Sequence, residues 1–73
     1  MAGVNTVTEK MNQMGYNIEM VRGDGYHYFI IDDPENNIYE CESIMVPRFR
    51  SYSVDHWVQM GIDFYNKIHN VIS

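Results

Sequence analysis

Residues 53–72 constrain the fold of this chain more than any other stretch. At about 100° per residue, the apolar side chains fall on one side of a helix and most polar ones fall opposite. Ser53 precedes the first turn, where its hydroxyl can accept a backbone N–H, and Tyr52 and Trp57 stand at the positions of a hydrophobic staple. We therefore predict a long amphipathic helix of roughly 28 Å, enough to cross a three-stranded sheet. The apolar face comprises Val54, Trp57, Val58, Gly61, Phe64, Tyr65, Ile68 and Ile72.

A shorter helix is predicted near the N-terminus. Residues 6–9 (Thr-Val-Thr-Glu) fit a capping box, in which the Thr6 hydroxyl caps the helix and the Glu9 carboxylate reaches back to the Thr6 N–H. Val7 and Met11 share one face, and Gly15 can end the helix in the left-handed conformation. Because so short a helix does not persist alone, it must pack against the rest of the chain.

Three strands are predicted between the two helices. Alternating side chains indicate the first, a dense aromatic and β-branched run the second, and renewed alternation the third. The strands are predicted over residues 16–22, 26–32 and 38–43, with turns at 23–25 and 33–37. With both helices on one face of this antiparallel meander, residues 1–73 form a single α+β domain in the order helix, three strands, helix.

Length and composition limit the class of protein. Seventy-three residues give a core near the lower size limit, so a dimer or a tight partner would add stability. Cys41 is the single cysteine, which argues against a disulfide scaffold. No apolar run reaches about 18 residues, and the N-terminus lacks a basic region followed by an apolar one. We therefore expect a cytoplasmic protein without membrane association.

Acidic residues are concentrated in the middle of the chain. The net charge is −5, and residues 23–47 carry six carboxylates but no Lys or Arg. Such a block repels nucleic-acid phosphate, so we expect no direct nucleic-acid binding and instead attraction to a basic protein surface. The alternative is that the acids only keep a small domain soluble. The predicted partner-binding acidic face consists of Asp32, Asp33, Glu35, Glu40 and Glu42.

No catalytic or metal-binding motif is evident in the sequence. Three scattered histidines and Cys41 lack the spacing of a zinc site, and the acidic turn lacks that of a calcium loop. Cys41 lies between two glutamates, which disfavour its thiolate. We therefore expect no enzyme activity, no metal and no cofactor.

Two arginines precede the long helix. In an extended segment, Arg48, Arg50 and Tyr52 would share one side, next to the free N–H groups of the helix start. Such a group can hold an anion or a nucleotide phosphate, with an aromatic ring available to a base. The alternative is that both arginines pair with the acidic hairpin.

The apolar arc of the long helix is also wide, at roughly 200° against the ~100° that a surface helix needs. A sheet covers only part of it. We expect the remainder, Met60, Phe64 and Val71, to contact the first helix, a second copy in a homodimer, or another partner.

In size, charge and layout, the chain resembles the very small acidic proteins that phages and mobile elements encode to block host defences, anti-CRISPR proteins among them. The resemblance implies a non-enzymatic inhibitor in the host-cell cytoplasm, whose acidic face occupies a basic, nucleic-acid-binding surface of a defence protein. Two alternatives stay open. One is an oligomeric protein that binds or sequesters a nucleotide at Arg48 and Arg50, and the other is a host adaptor with the same surface.

Overall fold

The computed structural model describes residues 3–72, with side chains described as far as residue 70. It shows the predicted α+β layout: a helix, a three-stranded antiparallel sheet and a long C-terminal helix. Short 3-10 turns at Pro34–Asn36 and Phe49–Ser51 interrupt the connections. The regular elements are α1 (Val4–Gln13), β1 (Glu19–Arg22), β2 (His27–Asp33), β3 (Ile38–Ile44) and α2 (Val54–Ile72).

The sheet has the order β1-β2-β3, with the longest pairing between β2 and β3. On the central strand, His27, Phe29 and Ile31 are buried on the side that meets the helices. Tyr28 and Ile30 alternate onto the other side, where they are half-buried. The register carries these two faces into both neighbouring strands, and we call the side away from the helices the open face.

The long helix packs on the sheet and on α1 together. Gly61 is the point of closest approach, because a Cβ atom built there would lie 2.9 Å from Cε1 of Phe29 and would overlap Sδ of Met11. The helix buries Trp57 completely and leaves Phe64 only 4% exposed. Two neighbours therefore cover the wide apolar arc that the sequence shows. The buried core is Val7, Met11, Ile18, Met20, Phe29, Ile31, Ile38, Trp57, Val58, Ile62 and Phe64.

The N-terminal helix begins earlier than predicted. Gly3 is the N-cap. Thr6 is the third residue of the helix, and its hydroxyl accepts the N–H of Gly3 at 3.4 Å. The predicted cap at Thr6 with Glu9 is therefore wrong. Two residues later, the Thr8 hydroxyl accepts the backbone N–H of Met20 at 2.9 Å, which ties α1 to the edge strand β1.

The predicted turns are confirmed at their glycine and asparagine positions. Gly15, Gly25 and Asn37 have φ angles of 93°, 82° and 56°, in the left-handed region. The first strand is shorter than predicted, since the N–H of Tyr16 bonds the carbonyl of Met11 and so belongs to the end of the helix. Ser53 caps α2 as predicted, with its hydroxyl accepting the N–H of His56 at 3.1 Å.

Candidate functional site

A cleft of about 1000 Å³ opens at one end of the sheet. The end of β1, the start of β2 and the segment that follows β3 all meet there. The first turns of both helices lie against the same opening. Its lining consists of Gly3, Val4, Asn5, Thr6, Arg22, His27, Pro47, Arg48, Phe49, Arg50, Tyr52, Ser53 and Val54.

All three arginines of the chain line this cleft: Arg22, Arg48 and Arg50. Each is exposed. The ion pairs found within residues 3–72 are Lys10–Asp55 and Lys67–Glu42, and neither includes an arginine. The expected alternative, in which Arg48 and Arg50 pair with the acidic hairpin, is therefore wrong for these residues. The cleft holds three positive charges without carboxylate partners in the described part of the chain.

Trp57 of α2 holds residues 48–52 in place, and we call these residues the arginine segment. Its indole N–H donates to the carbonyl of Phe49 at 2.8 Å, and the two rings stack with centroids 5.9 Å apart. The intervening turn at Phe49–Ser51 is a 3-10 helix rather than the extended segment that we predicted. Arg48 and Arg50 nevertheless both reach the cleft, because they flank Phe49 at the start of this turn.

Tyr52 completes the segment and meets Trp57, as expected for a hydrophobic staple. Its ring stands edge-on to the indole, with centroids 5.1 Å apart. It also stacks on the exposed His56, with centroids 4.5 Å apart. A half-buried aromatic ring thus stands beside the arginines, where it can contact the organic part of a bound anion.

A buried histidine lies among the cleft residues. His27 is 0% exposed, and its Nδ1 lies 2.8 Å from the carbonyl oxygen of Val46. Its ring also packs on Trp57, with centroids 5.2 Å apart. The other ring nitrogen, Nε2, is buried and has no hydrogen-bond partner in the described structure. A buried polar atom without a partner is costly, so Nε2 favours a ligand or water that can bond to it.

Both helices direct their N-termini toward the cleft. Val4 begins the ten-residue α1 and Val54 the nineteen-residue α2, and each lines the opening. Helix N-termini carry partial positive charge, which adds to that of the arginines. Asp55 in the first turn of α2 opposes this effect in part, although it lies 3.9 Å from Lys10.

Arg22, His27 and the start of α1 were not recognised as site residues from the sequence. Arg22 and His27 are directly paired across the β1–β2 hairpin. The predicted turn at residues 23–25 would have paired Arg22 with Tyr26, because the two residues that flank a three-residue hairpin turn face each other. In the structure the loop is one residue longer, which places His27 opposite Arg22. No local sequence pattern predicts that Arg22 and His27 lie near Arg48. They come together only because α2 packs on the sheet.

The predicted acidic residues do not form a single face. Glu40 and Glu42 pair in register with Ile31 and Phe29 and so point to the helix side of the sheet. The carboxylate of Glu42 is paired with Lys67 of α2 at 2.9 Å.

The other acids lie at or near the turn between β2 and β3. Asp32 points to the open face, where Cys41, burial and the charge of Asp32 raise the pKa of Tyr39. Asp33 accepts a hydrogen bond from Asn36 at 2.8 Å, and Glu35 is exposed. Asp32, Asp33, Glu35 and Glu40, which we call the acidic end, gather at the end of the sheet opposite the arginine cleft.

The predicted dimer patch is largely internal. Phe64 is buried in the monomer and Lys67 lies over its ring, 5.6 Å from the centroid. Met60 packs against the core, and the side chain of Val71 lies outside the described residues. Phe64 therefore packs within the chain, which is one of the three outcomes expected for it, and homodimerisation stays a prediction.

Within residues 3–72, no group of three or more His, Cys, Asp or Glu side chains is arranged to hold a metal ion. Among the same residues, no helix has the length and apolar character needed to cross a bilayer. Comparisons of the chain with protein-family models, curated proteins and solved structures find no match. The function is therefore inferred from the cleft itself.

Proposed function

We propose that this chain is a non-enzymatic binding protein that holds a phosphate-bearing small molecule, such as a nucleotide, in the arginine cleft. The observation that carries the proposal is the convergence of Arg22, Arg48 and Arg50 without carboxylate partners in residues 3–72. Guanidinium groups bind phosphate through charge-assisted and often bidentate hydrogen bonds.

The overall charge makes this convergence informative. A chain with net charge −5 has five Lys and Arg residues, and three of them line one cleft. Like charges repel, so an arrangement of this kind costs free energy unless an anion is present. The two helix N-termini add donors and positive potential on the same side of the opening.

The cleft also suits a ligand larger than a bare anion. Its volume of about 1000 Å³ lies at the upper end of the range for small-molecule sites. Tyr52 and Phe49 line it beside the arginines. An aromatic face next to a phosphate-binding group provides stacking for a base or another flat organic moiety.

The proposal is tested by calorimetry with a panel of nucleotides, including cyclic ones, on the wild type and on Arg48→Glu/Arg50→Glu. We expect binding by the wild type and a loss of at least about 100-fold in the double variant, since each charge-assisted contact contributes roughly 1.5–3 kcal/mol. Both arginines are exposed, so the melting temperature should change little.

The matched control is Lys10→Glu/Lys67→Glu, which changes the net charge by the same amount at two residues that do not line the cleft. It should bind the ligand with nearly unchanged affinity at ordinary ionic strength. An equal loss in both double variants would show only a net-charge effect and would refute the site. A wild type that binds no nucleotide in the panel would refute the proposed ligand class.

The second candidate function is the one that the sequence suggests: a phage or mobile-element inhibitor, or a host adaptor, that docks on a basic protein. The acidic end supports this second function, because Asp32, Glu35 and Glu40 are exposed and take part in none of the ion pairs within residues 3–72. Glu42 is a weaker contact residue than expected, since Lys67 already neutralises it.

A partner captured from a bacterial lysate should carry a basic surface and should be lost with Glu35→Lys/Glu40→Lys. The matched control, Glu9→Lys/Asp63→Lys, changes charge equally at exposed positions outside the acidic end. Association should also slow as salt rises from about 50 to 500 mM, as screening shortens the reach of the field. A partner retained equally by both variants would show that the acidic end is only a solvated surface.

A further inference from the structure

His27 has one defined tautomer in its neutral form. A carbonyl oxygen only accepts hydrogen bonds, so the 2.8 Å contact with Val46 requires a proton on Nδ1 of His27. The neutral ring then presents a bare lone pair at Nε2. That nitrogen is buried, without a hydrogen-bond partner in the described structure, in a residue that lines the arginine cleft.

A bare lone pair and a fully ionised phosphate are incompatible at contact distance. Both are acceptors, so a proton must lie between Nε2 and the phosphate oxygen before they can bond. Above about pH 7, a free phosphate monoester is mostly doubly ionised and an unperturbed imidazole is mostly neutral. Neither group brings the required proton, and solvent must supply it.

We propose that the cleft binds a phosphate monoester together with one proton, which His27 Nε2 and a phosphate oxygen share after the side chains that cover this buried nitrogen have moved aside. This inference rests on the proposed function of the cleft. Binding therefore takes up one proton from solvent for each ligand dianion. In the complex, either Nε2–H donates to the phosphate oxygen or the phosphate O–H donates to Nε2. Linkage then requires that the affinity fall as pH rises, by about tenfold per pH unit for one proton.

The charged groups around His27 support this coupling. Arg22 is its neighbour on β1, and Arg48 and Arg50 face it from the segment after β3. The cleft residues of α1 and α2 are uncharged. The nearest charged or titratable residues outside the lining are Asp24 in the hairpin turn and Asp55 and His56 in the first turn of α2. A bound dianion places negative charge beside the imidazole, which favours the shared proton of the complex.

The test uses adenosine monophosphate as the monoester probe. Calorimetry at about pH 8 in two buffers with different ionisation enthalpies measures the protons taken up per ligand bound. We expect a value near one for the wild type, and an affinity about tenfold weaker at pH ~8.5 than at pH ~7.5. Binding without proton uptake would overturn the inference and leave the proposed function standing. Absence of binding to adenosine monophosphate would overturn the inference, and absence of binding to every nucleotide of the panel would refute the proposed function as well.

Two variants locate the proton. His27→Asn keeps an amide near the position of Nδ1, where it can still donate to the Val46 carbonyl, but it removes Nε2. It should bind more weakly, with proton uptake near zero. His56→Gln removes the exposed imidazole that stacks on Tyr52 and should keep the uptake near one. Uptake that vanished in the His56 variant would overturn the assignment to His27, and this variant and the wild type decide the matter even if His27→Asn fails to fold.

Discussion

Replacing Trp57 with phenylalanine tests how α2 positions the arginine segment. Trp57 is completely buried, and its indole N–H donates to the carbonyl of Phe49, the residue between the two arginines. Phenylalanine keeps an aromatic ring on the helix but cannot donate that bond. Trp57→Ala, at about 3–5 kcal/mol, would remove a large part of the roughly 4–11 kcal/mol expected for a domain of this length, so the milder change is the more informative one.

The expected cost follows from two losses. The hydrogen bond contributes about 1 kcal/mol, and the void left by the smaller ring adds about 1–2 kcal/mol. A total of roughly 2–3 kcal/mol should lower the melting temperature by about 10–20 °C in a domain of this size. Urea denaturation measures the same change, with an unchanged slope if the variant still unfolds in a two-state transition.

The functional effect separates positioning from stability. Trp57→Phe should also weaken binding at the cleft, because the turn that carries Arg48 and Arg50 loses its anchor on α2. Phe64→Leu is the matched control, as it perturbs a buried aromatic residue of the same helix that does not line the cleft. A Trp57→Phe protein as stable as the wild type, or equal losses of affinity in both variants, would refute this account of the segment.

Two further predictions follow from the packing of α2. Gly61→Ala should destabilise the fold by about 1–3 kcal/mol in urea denaturation, because the added methyl group would overlap Met11 and crowd Phe29; an unchanged midpoint would show that the helices can separate freely. Lys67→Met should lower the free energy of unfolding by less than about 1 kcal/mol at low salt and by still less at high salt, since the Lys67–Glu42 ion pair is partly exposed. A loss that does not vary with salt would show that the aliphatic part of the Lys67 side chain, and not its charge, provides the stabilisation.

The element order could be predicted because each element carries a local signal. Gly15, Gly25 and Asn37 adopt positive φ where the sequence places turns, and the 3.6-residue period of α2 has few alternatives. The start of α1 could not be predicted in the same way. Thr6 can serve either as the cap or as the third residue that bonds back to the cap, and Gly3 becomes the cap because its own backbone is extended.

The candidate site could be predicted only in part, because some of its residues are close together in the sequence and others meet only in the folded chain. Arg48, Arg50 and Tyr52 lie close together in the sequence, so their pattern was visible. Arg22 and His27 reach the same place through a hairpin that ends there, and the alternation that reveals a strand does not tell which strand end will meet the long helix. The buried Nε2 is a consequence of tertiary packing, and no local pattern encodes it.

The net charge of −5 does not conflict with anion binding, because four of the carboxylates lie toward the end of the sheet away from the cleft, and Asp24 is the single carboxylate in the turn at the cleft end. From His27 to Asp33, β2 spans about 20 Å at roughly 3.3 Å per residue. The far end of β2 therefore lies more than two screening lengths from His27 at physiological salt, where the Debye length is about 8 Å, and Glu40, opposite Ile31, lies somewhat nearer. A phosphate at the cleft encounters mainly the nearby arginines and helix ends, while a basic protein at the far end encounters mainly carboxylates. Cleft and acidic end can thus be perturbed separately, and the two proposed functions do not require the same surface.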